Sequence, residues 1–236
     1  HLKTFQVILF LDIMGSMKKS SNPNRTRYQK YRLLFYLCLL FIALTIVVCV
    51  EYRTWISMIW TIVFALFAWQ CHVQAKISRC GLAGEEKTYD MLLNLPKAYT
   101  VLNNIELEVN GKKGELDLLV ISEFGLFIVE VKNHSGTIIG RKGQNTWRQE
   151  KISGTKYMKN PIHQLEREMR LLREMLDPFQ IRIPIFGCVY FSNAKKVETD
   201  SSNVIMDPDR LMDRICAFKN PILKKSDIRK IIRILR

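Results

Sequence analysis

Three charged residues, Asp117, Glu130 and Lys132, interrupt two runs that otherwise have the composition of buried strands. The runs 116–121 and 126–131 are rich in Leu, Ile, Val and Phe and lack polar alternation, as in strands that are covered on both faces. A buried, unpaired carboxylate is costly or takes up a proton, so two carboxyl groups in such strands require a compensating cation.

The connection between the runs brings the two acids together. Residues 122–125 have the length of a hairpin connection and include a glycine. If the two central residues form the loop, Asp117 lies opposite Glu130, and Lys132 shares the face of Glu130 because side chains alternate with period two. The compensating cation is then either Lys132 or a divalent metal ion.

This arrangement of Asp117, Glu130 and Lys132 predicts metal-dependent phosphodiester hydrolysis. Two carboxylates, with a backbone carbonyl such as that of Val131, can hold Mg²⁺ through oxygen ligands. The ion polarises the phosphate and lowers the pKa of a bound water, and Lys132 can orient that water or stabilise phosphoryl charge. An ion pair between Glu130 and Lys132 on a solvated face is the alternative, but the apolar flanks and the acid on the preceding strand argue against it.

A helical stripe adds a third acid to the prediction. Leu82, Glu85, Tyr89 and Leu92 recur at three- and four-residue spacing, so Glu85 faces the sheet, whereas Glu86 points to solvent. Glu85 is then a third metal ligand or a hydrogen-bonding group of the site. The alternative is an acid that simply favours the helix dipole.

Two uncharged apolar segments, 33–50 and 54–75, precede this region and are separated by three residues. Each has about the 20 residues needed to cross a bilayer. We therefore predict a transmembrane helical hairpin that contacts the lipid bilayer through both segments. A buried hairpin of a soluble protein and a cleaved signal peptide are the alternatives.

The charge distribution indicates the orientation of this hairpin. The formal net charge is +14, of which residues 1–80 carry +8 and the remainder +6. Basic residues flank the hairpin on its outer sides, so both termini are expected in the cytoplasm of a bacterial-type inner membrane. The remaining +6 permits a phosphate-bearing partner without demanding one.

Six cysteines without Cys-x-x-Cys spacing indicate a reducing compartment and neither a disulfide framework nor a zinc site.

The chain is expected to have three parts. Residues 1–30 form a basic cytoplasmic arm, in which we interpret 1–16 as an artefact upstream of a natural start at Met17. Residues 31–75 form the transmembrane hairpin, and 76–236 form a cytoplasmic α/β domain. The order helix, strands, helix, strand, helices predicts a mixed sheet flanked by helices.

The motifs of this domain resemble those of the nuclease-related domain (NERD) family within the PD-(D/E)XK nuclease superfamily. The resemblance covers roughly residues 83–191 and rests on the ordered set Gly84-Glu85, the strand 115–120, the run 125–133, Gly136, Gly140, Trp147, Asn160-Pro161 and Gln164. It implies a restriction-endonuclease-like core and an Mg²⁺- or Mn²⁺-dependent DNase. The implied catalytic residues are Glu85, Asp117, Glu130 and Lys132, with Gln164 close to the site. One departure is Leu118, where members often have His.

Other readings of the function remain open beside a DNA nuclease. The substrate could be RNA. The protein could instead be a catalytically silent membrane-tethered module that binds nucleic acid or a protein. A third alternative is a soluble enzyme in which the hairpin belongs to the core. The basic and aromatic residues of 141–151 fit either a nucleic-acid-binding loop or a solvated loop with an anchoring Trp147. His134 either approaches a phosphate or is an ordinary loop histidine. The basic residues of 224–236 form a helix's polar face or contact phosphates or lipid headgroups.

Overall fold

The structure is a computed structural model that describes residues 22–53 and 55–235. The expectations for residues 1–16 and for the start at Met17 lie outside these residues. The chain divides into two compact units, one up to Leu82 and one from Ala83.

The first unit contains a pair of helices, α1 (Pro23–Tyr52) and α2 (Trp55–Leu92). Helix α1 begins at Asn22, whose side chain accepts a hydrogen bond from the Arg25 amide, as N-cap residues do. It ends at Arg53, which adopts the left-handed conformation at φ 50°. The connection between the helices is therefore as short as the sequence predicts.

Both helices have the length and composition needed to cross a membrane, a property that signal sequences and core helices also have. Only 6% of the most apolar window of α1 and 17% of that of α2 are buried. The helices contact each other through a hydrogen bond between Thr45 and Thr61 (2.9 Å) and through stacked rings of Phe41 and Phe64. Most of their large apolar side chains remain exposed.

Helix α2 is one continuous helix of 38 residues, whereas the sequence suggested an apolar segment ending at residue 75 and a separate helix beyond it. Residues 76–80 contain neither Pro nor Gly, so nothing in this stretch interrupts the helix. The helix ends at Leu92, shortly before Pro96.

The second unit contains the end of α2, nine strands, three further α-helices and a short 3-10 helix (Asp177–Phe179) within residues 83–235. In chain order these elements are β1 (Thr100–Val109), β2 (Lys112–Ser122), β3 (Gly125–Lys132), β4 (Gly136–Ile139), β5 (Thr146–Lys151), β6 (Gly154–Lys159), α3 (Pro161–Leu176), β7 (Ile185–Phe191), β8 (Ala194–Glu198), β9 (Val204–Ile205), α4 (Pro208–Cys216) and α5 (Lys225–Ile234). Five strands form a mixed sheet in the order β1-β2-β3-β7-β9, in which β3, β7 and β9 are parallel. The other four form a second sheet in the order β6-β5-β4-β8.

Helices cover both faces of the five-stranded sheet. Ile128 and Leu119 pack in one cluster with Leu165 of α3, and Val120 and Val129 pack in the other with Leu92 of α2. This explains why β2 and β3 lack polar alternation, since both faces of these strands are buried. The predicted mixed sheet flanked by helices is confirmed, and the second sheet is an addition that the sequence did not indicate.

The β2–β3 connection is the two-residue loop that the sequence predicts. Ser122 pairs with Gly125, and the Ser122 hydroxyl accepts a hydrogen bond from the Phe124 amide at 3.2 Å. This register determines which residues of the two strands lie opposite each other.

Candidate active site

The site lies where β2 and β3 separate. Their ladder ends at the pair Leu118 and Val129, so Asp117 and Glu130 occupy the next opposed positions. Beyond this point β3 pairs with β7 on its other side, from Glu130 to Lys132. The Asp117 carboxylate fills the gap and accepts a hydrogen bond from the Val131 amide at 2.8 Å.

Helix α2 places Glu85 beside this gap. Glu85 is buried and Glu86 is exposed, as the helical phase predicts. The negative charge of Glu85 acts on the Asp117 carboxyl. The helix approaches closely because Gly84 has no side chain: a Cβ there would lie 2.6 Å from the Asn133 Cβ.

Lys132 lies between an acid and an amide. Its Nζ is 2.5 Å from Glu130 Oε1 and donates a hydrogen bond to Gln164 Oε1 at 3.0 Å. Gln164 lies in the first turns of α3, whose start is fixed by Asn160. The Asn160 side chain accepts from the Ile162 amide and donates to carbonyls of residues 141–144. The structure thus brings together Glu85, Asp117, Glu130, Lys132 and Gln164, while their catalytic and metal-binding roles stay predictions.

The sequence analysis missed one acid of this cluster, Glu168. It is 1% exposed, and its Oε1 accepts a hydrogen bond from Gln164 Nε2 at 2.9 Å. A signal for it was available, because Glu168 follows Leu165 by three residues and precedes Leu172 by four, which places it on the apolar face of the helix.

The cluster holds more carboxyl groups than cations. Burial raises the pKa of Asp117 well above its ordinary value, and the charges of Glu130 and Glu85 add to the rise. Burial and then the charge of Glu130 raise the pKa of Glu168 to about 9. Burial alone would lower the pKa of Lys132, but Glu130 and Asp117 outweigh it and raise this pKa. Lys132 is therefore a firmly charged counter-ion, Glu168 holds a proton at neutral pH, and the lack of a second cation shifts Asp117 toward its protonated form.

The residues present fit a divalent cation at this position. Oε2 of Glu130 is buried without a hydrogen-bond partner among the described residues, while its Oε1 contacts the Lys132 ammonium. Buried oxygens in this state are the donors that a hard cation uses. Within residues 22–53 and 55–235 no three His, Cys, Asp or Glu side chains form a ready-made metal site. The donor set would be the opposed carboxyl groups of Asp117 and Glu130, with Glu85 and backbone oxygens beside them.

Two other residues singled out in the sequence have defined surroundings. Trp147 is fully buried, its ring stacks on Phe191, and its Nε1 donates to the Arg141 carbonyl at 3.1 Å. It is thus the anchor of its loop and does not face solvent. Gly140 is required beneath it, because a Cβ would lie 2.2 Å from the indole.

His134 is half-buried, and burial, followed by the charge of Lys132, lowers its pKa.

The domain is thus a mixed α/β domain that has acidic groups and a lysine at the separation of two strands of a helix-covered sheet. Residues 81–192 match the family model of the nuclease-related domain, and this part of the chain is a nuclease-related domain. The resemblance found in the sequence is thereby confirmed. An uncharacterised protein of Bacillus anthracis is 33% identical over 99 residues, which are 41% of this chain and 47% of that protein. The match thus spans about half the length of that relative.

Proposed function

We propose that this protein is a membrane-anchored nuclease that hydrolyses phosphodiester bonds of DNA with Mg²⁺ or Mn²⁺. The observation that carries the proposal is the deficit of positive charge at the strand separation. Asp117 and Glu130 face each other there with Lys132 as the cation beside them, and Oε2 of Glu130 is buried without a hydrogen-bond partner among the described residues. The nuclease-related domain supports the choice of a nucleic acid as the partner.

Each residue has a distinct role in the proposal. Asp117 and Glu130, with the Val131 carbonyl and Glu85, would hold the ion. When bound, the ion supplies a polarised phosphate and an acidified water. Lys132 stabilises negative charge on the phosphoryl oxygens, since its raised pKa keeps the ammonium charged at neutral pH.

The membrane anchor is supported by the two apolar helices α1 and α2 and by the charges around them. Their apolar side chains are largely exposed, which suits a lipid environment. Basic residues outside the hairpin and their scarcity in its turn favour a cytoplasmic location for both termini in a bacterial-type inner membrane.

A second function is favoured by the contact between Lys132 and Glu130. At 2.5 Å the ammonium itself neutralises the acid that a metal ion would use. If the ion pair between Lys132 and Glu130 persists, no metal ion binds to Glu130. The domain is then a catalytically silent module that binds nucleic acid or a protein and does not hydrolyse phosphodiester bonds.

A cleavage assay on the full chain in detergent separates the two functions. Linear and circular DNA, and RNA, are incubated with Mg²⁺, Mn²⁺ or EDTA. We expect metal-dependent cleavage of DNA that Asp117→Asn abolishes and that Asp90→Asn, at an exposed acid on α2, leaves intact. Binding without cleavage under every metal condition would refute the nuclease and support the silent module.

A further inference from the structure

The buried acid Glu168 is not explained by the requirements of the fold. It is 1% exposed on a helix face that otherwise carries apolar residues such as Leu165 and Leu172. A buried carboxyl group is a cost to stability unless it is well paired. The carboxyl group of Glu168 is hydrogen-bonded to Gln164 and to Glu130, so Glu168 belongs to the charged cluster at the strand separation, which points to a task other than packing.

Glu168 is connected to Lys132 through one intermediate residue. Gln164 and Glu168 are four residues apart on α3, so their side chains are neighbours. Gln164 Nε2 donates to Glu168 Oε1 at 2.9 Å, and Gln164 Oε1 accepts from Lys132 Nζ at 3.0 Å. The amide therefore has its donor end toward the acid and its acceptor end toward the ammonium.

This connection sets the orientation of the amide. The ammonium of Lys132 has only donors, so Gln164 must present its oxygen to it. An amide that rotates by half a turn presents an NH₂ group instead, which repels the ammonium. Glu168 opposes that rotation because its proton is shared with Glu130, which leaves Oε1 as an acceptor for the amide NH₂.

We propose that Glu168 is a positioning residue for the phosphodiester hydrolysis described above, on which this inference rests. It orients the Gln164 amide, and the amide holds the Lys132 ammonium. Two N–H groups of the ammonium are then directed at Glu130 and Gln164, which leaves the third for an oxygen of the reacting phosphate. Holding the long lysine side chain before the substrate arrives removes an entropic cost from the reaction.

The helix that carries these residues is itself anchored, which the proposal requires. Asn160 caps α3 through the Ile162 amide at 2.9 Å and donates to the Lys142 and Gln144 carbonyls at 2.9 and 2.6 Å. Since the helix start is fixed, changes at Glu168 act on the amide and leave the helix in place.

The test compares two variants at this position in the full chain. Glu168→Met has a similar volume and no hydrogen-bonding oxygen, so kcat for DNA cleavage should fall at least about tenfold, the lower range for loss of an outer-shell partner, with KM unchanged. Glu168→Gln keeps an oxygen that accepts from Gln164 and should cleave at nearly the wild-type rate. Glu166→Gln is the matched control, because Glu166 lies on the same helix and pairs with Lys142 on the surface. Glu168→Leu replaces the Met variant if that protein does not fold.

A double substitution checks that Glu168 acts through Gln164. Once Gln164→Ala has removed the amide, adding Glu168→Met should cost no further activity. Losses that multiply would overturn the proposal, because a purely structural role predicts independent effects.

The acetylation rate of Lys132 in the metal-free protein, followed by mass spectrometry, tests the inference without any cleavage. The Met variant should increase this rate at least about fivefold, as for a lost hydrogen bond, and the Gln variant should not. If the wild type does not cleave, the nuclease proposal fails while this measurement still decides on Glu168. An unchanged Lys132 rate in the Met variant would overturn the positioning role, whatever the cleavage assay shows.

Discussion

Replacing Asp117 by asparagine distinguishes a metal-binding carboxyl group from a structural one. Asparagine keeps a side-chain oxygen that can accept the hydrogen bond from the Val131 amide. It removes an ionisation that burial and the charges of Glu130 and Glu85 oppose. We therefore expect Asp117→Asn to lose metal-dependent cleavage by more than the roughly 10- to 100-fold cost of losing an outer-shell partner, while the metal-free protein gains stability.

The pKa shifts determine how the stability of the metal-free protein depends on pH. The folded pKa of Asp117 lies well above the ordinary value of 3.8, so between these two pH values the folded state holds a proton that the unfolded state lacks. Stability then falls as pH rises, by about 1.4 kcal/mol per pH unit for each such group. Glu168, with a pKa of about 9, adds an equal fall over its own window. Where the two windows overlap, the wild type should lose about 2.7 kcal/mol per pH unit and Asp117→Asn about half of that.

Urea unfolding of the full chain in EDTA, followed by pulse proteolysis, measures both slopes from about pH 5.5 upward. The same titration with Mn²⁺ should stabilise the wild type and leave Asp117→Asn unchanged, since a ligand stabilises only the state that binds it. An Asp117→Asn protein that is less stable in EDTA, or that has the wild-type pH slope, would refute the reasoning. Asp117 would then be a structural partner of Lys132.

Three further predictions follow from the same geometry. Glu85→Gln should weaken Mg²⁺ affinity at least about tenfold while Glu86→Gln does not, and equal effects in a metal titration would contradict the helix phase. Glu130→Gln should abolish cleavage without lowering the melting temperature in EDTA. The substitution removes the charge that raises the pKa of Asp117, so that Asp117 can ionise beside Lys132. Marked destabilisation by calorimetry would count against a metal site. Reporter fusions should place both termini in the cytoplasm, and an active periplasmic reporter at the C-terminus would disprove that orientation.

The sequence predicts the central hairpin because its signals are local. Apolar runs without alternation indicate strands covered on both faces, and residues 122–125 set a two-residue loop. From these, the opposition of Asp117 and Glu130 follows by counting. The position of Glu85 also follows, because helical phase is a local property.

Other features depend on contacts that are distant in the chain. Gln164 could be placed near the site only by resemblance, since no local pattern relates α3 to the end of β3. Glu168 shares the apolar face of α3 with Leu165 and Leu172, but its link to the site depends on the contact with Gln164 and Glu130. The second sheet pairs β4 with β8, more than fifty residues later, and such parallel pairing leaves no signal in either strand alone. The role of Trp147 became clear only from its stacking on Phe191.

The short loop between β2 and β3 has a consequence for sequence variation. It lies five residues along β2 from Asp117, or about 17 Å in an extended strand. Because side chains alternate, a one-residue shift of the β2–β3 register would turn Glu130 and Lys132 to the opposite face of the sheet and bring an apolar neighbour toward Asp117. The loop is also packed against the rest of the domain, since the Glu123 carbonyl accepts hydrogen bonds from the Ile222 and Leu223 amides and the Phe124 ring contacts Tyr99. Functional versions of this domain should therefore vary in the composition of the loop and keep its length.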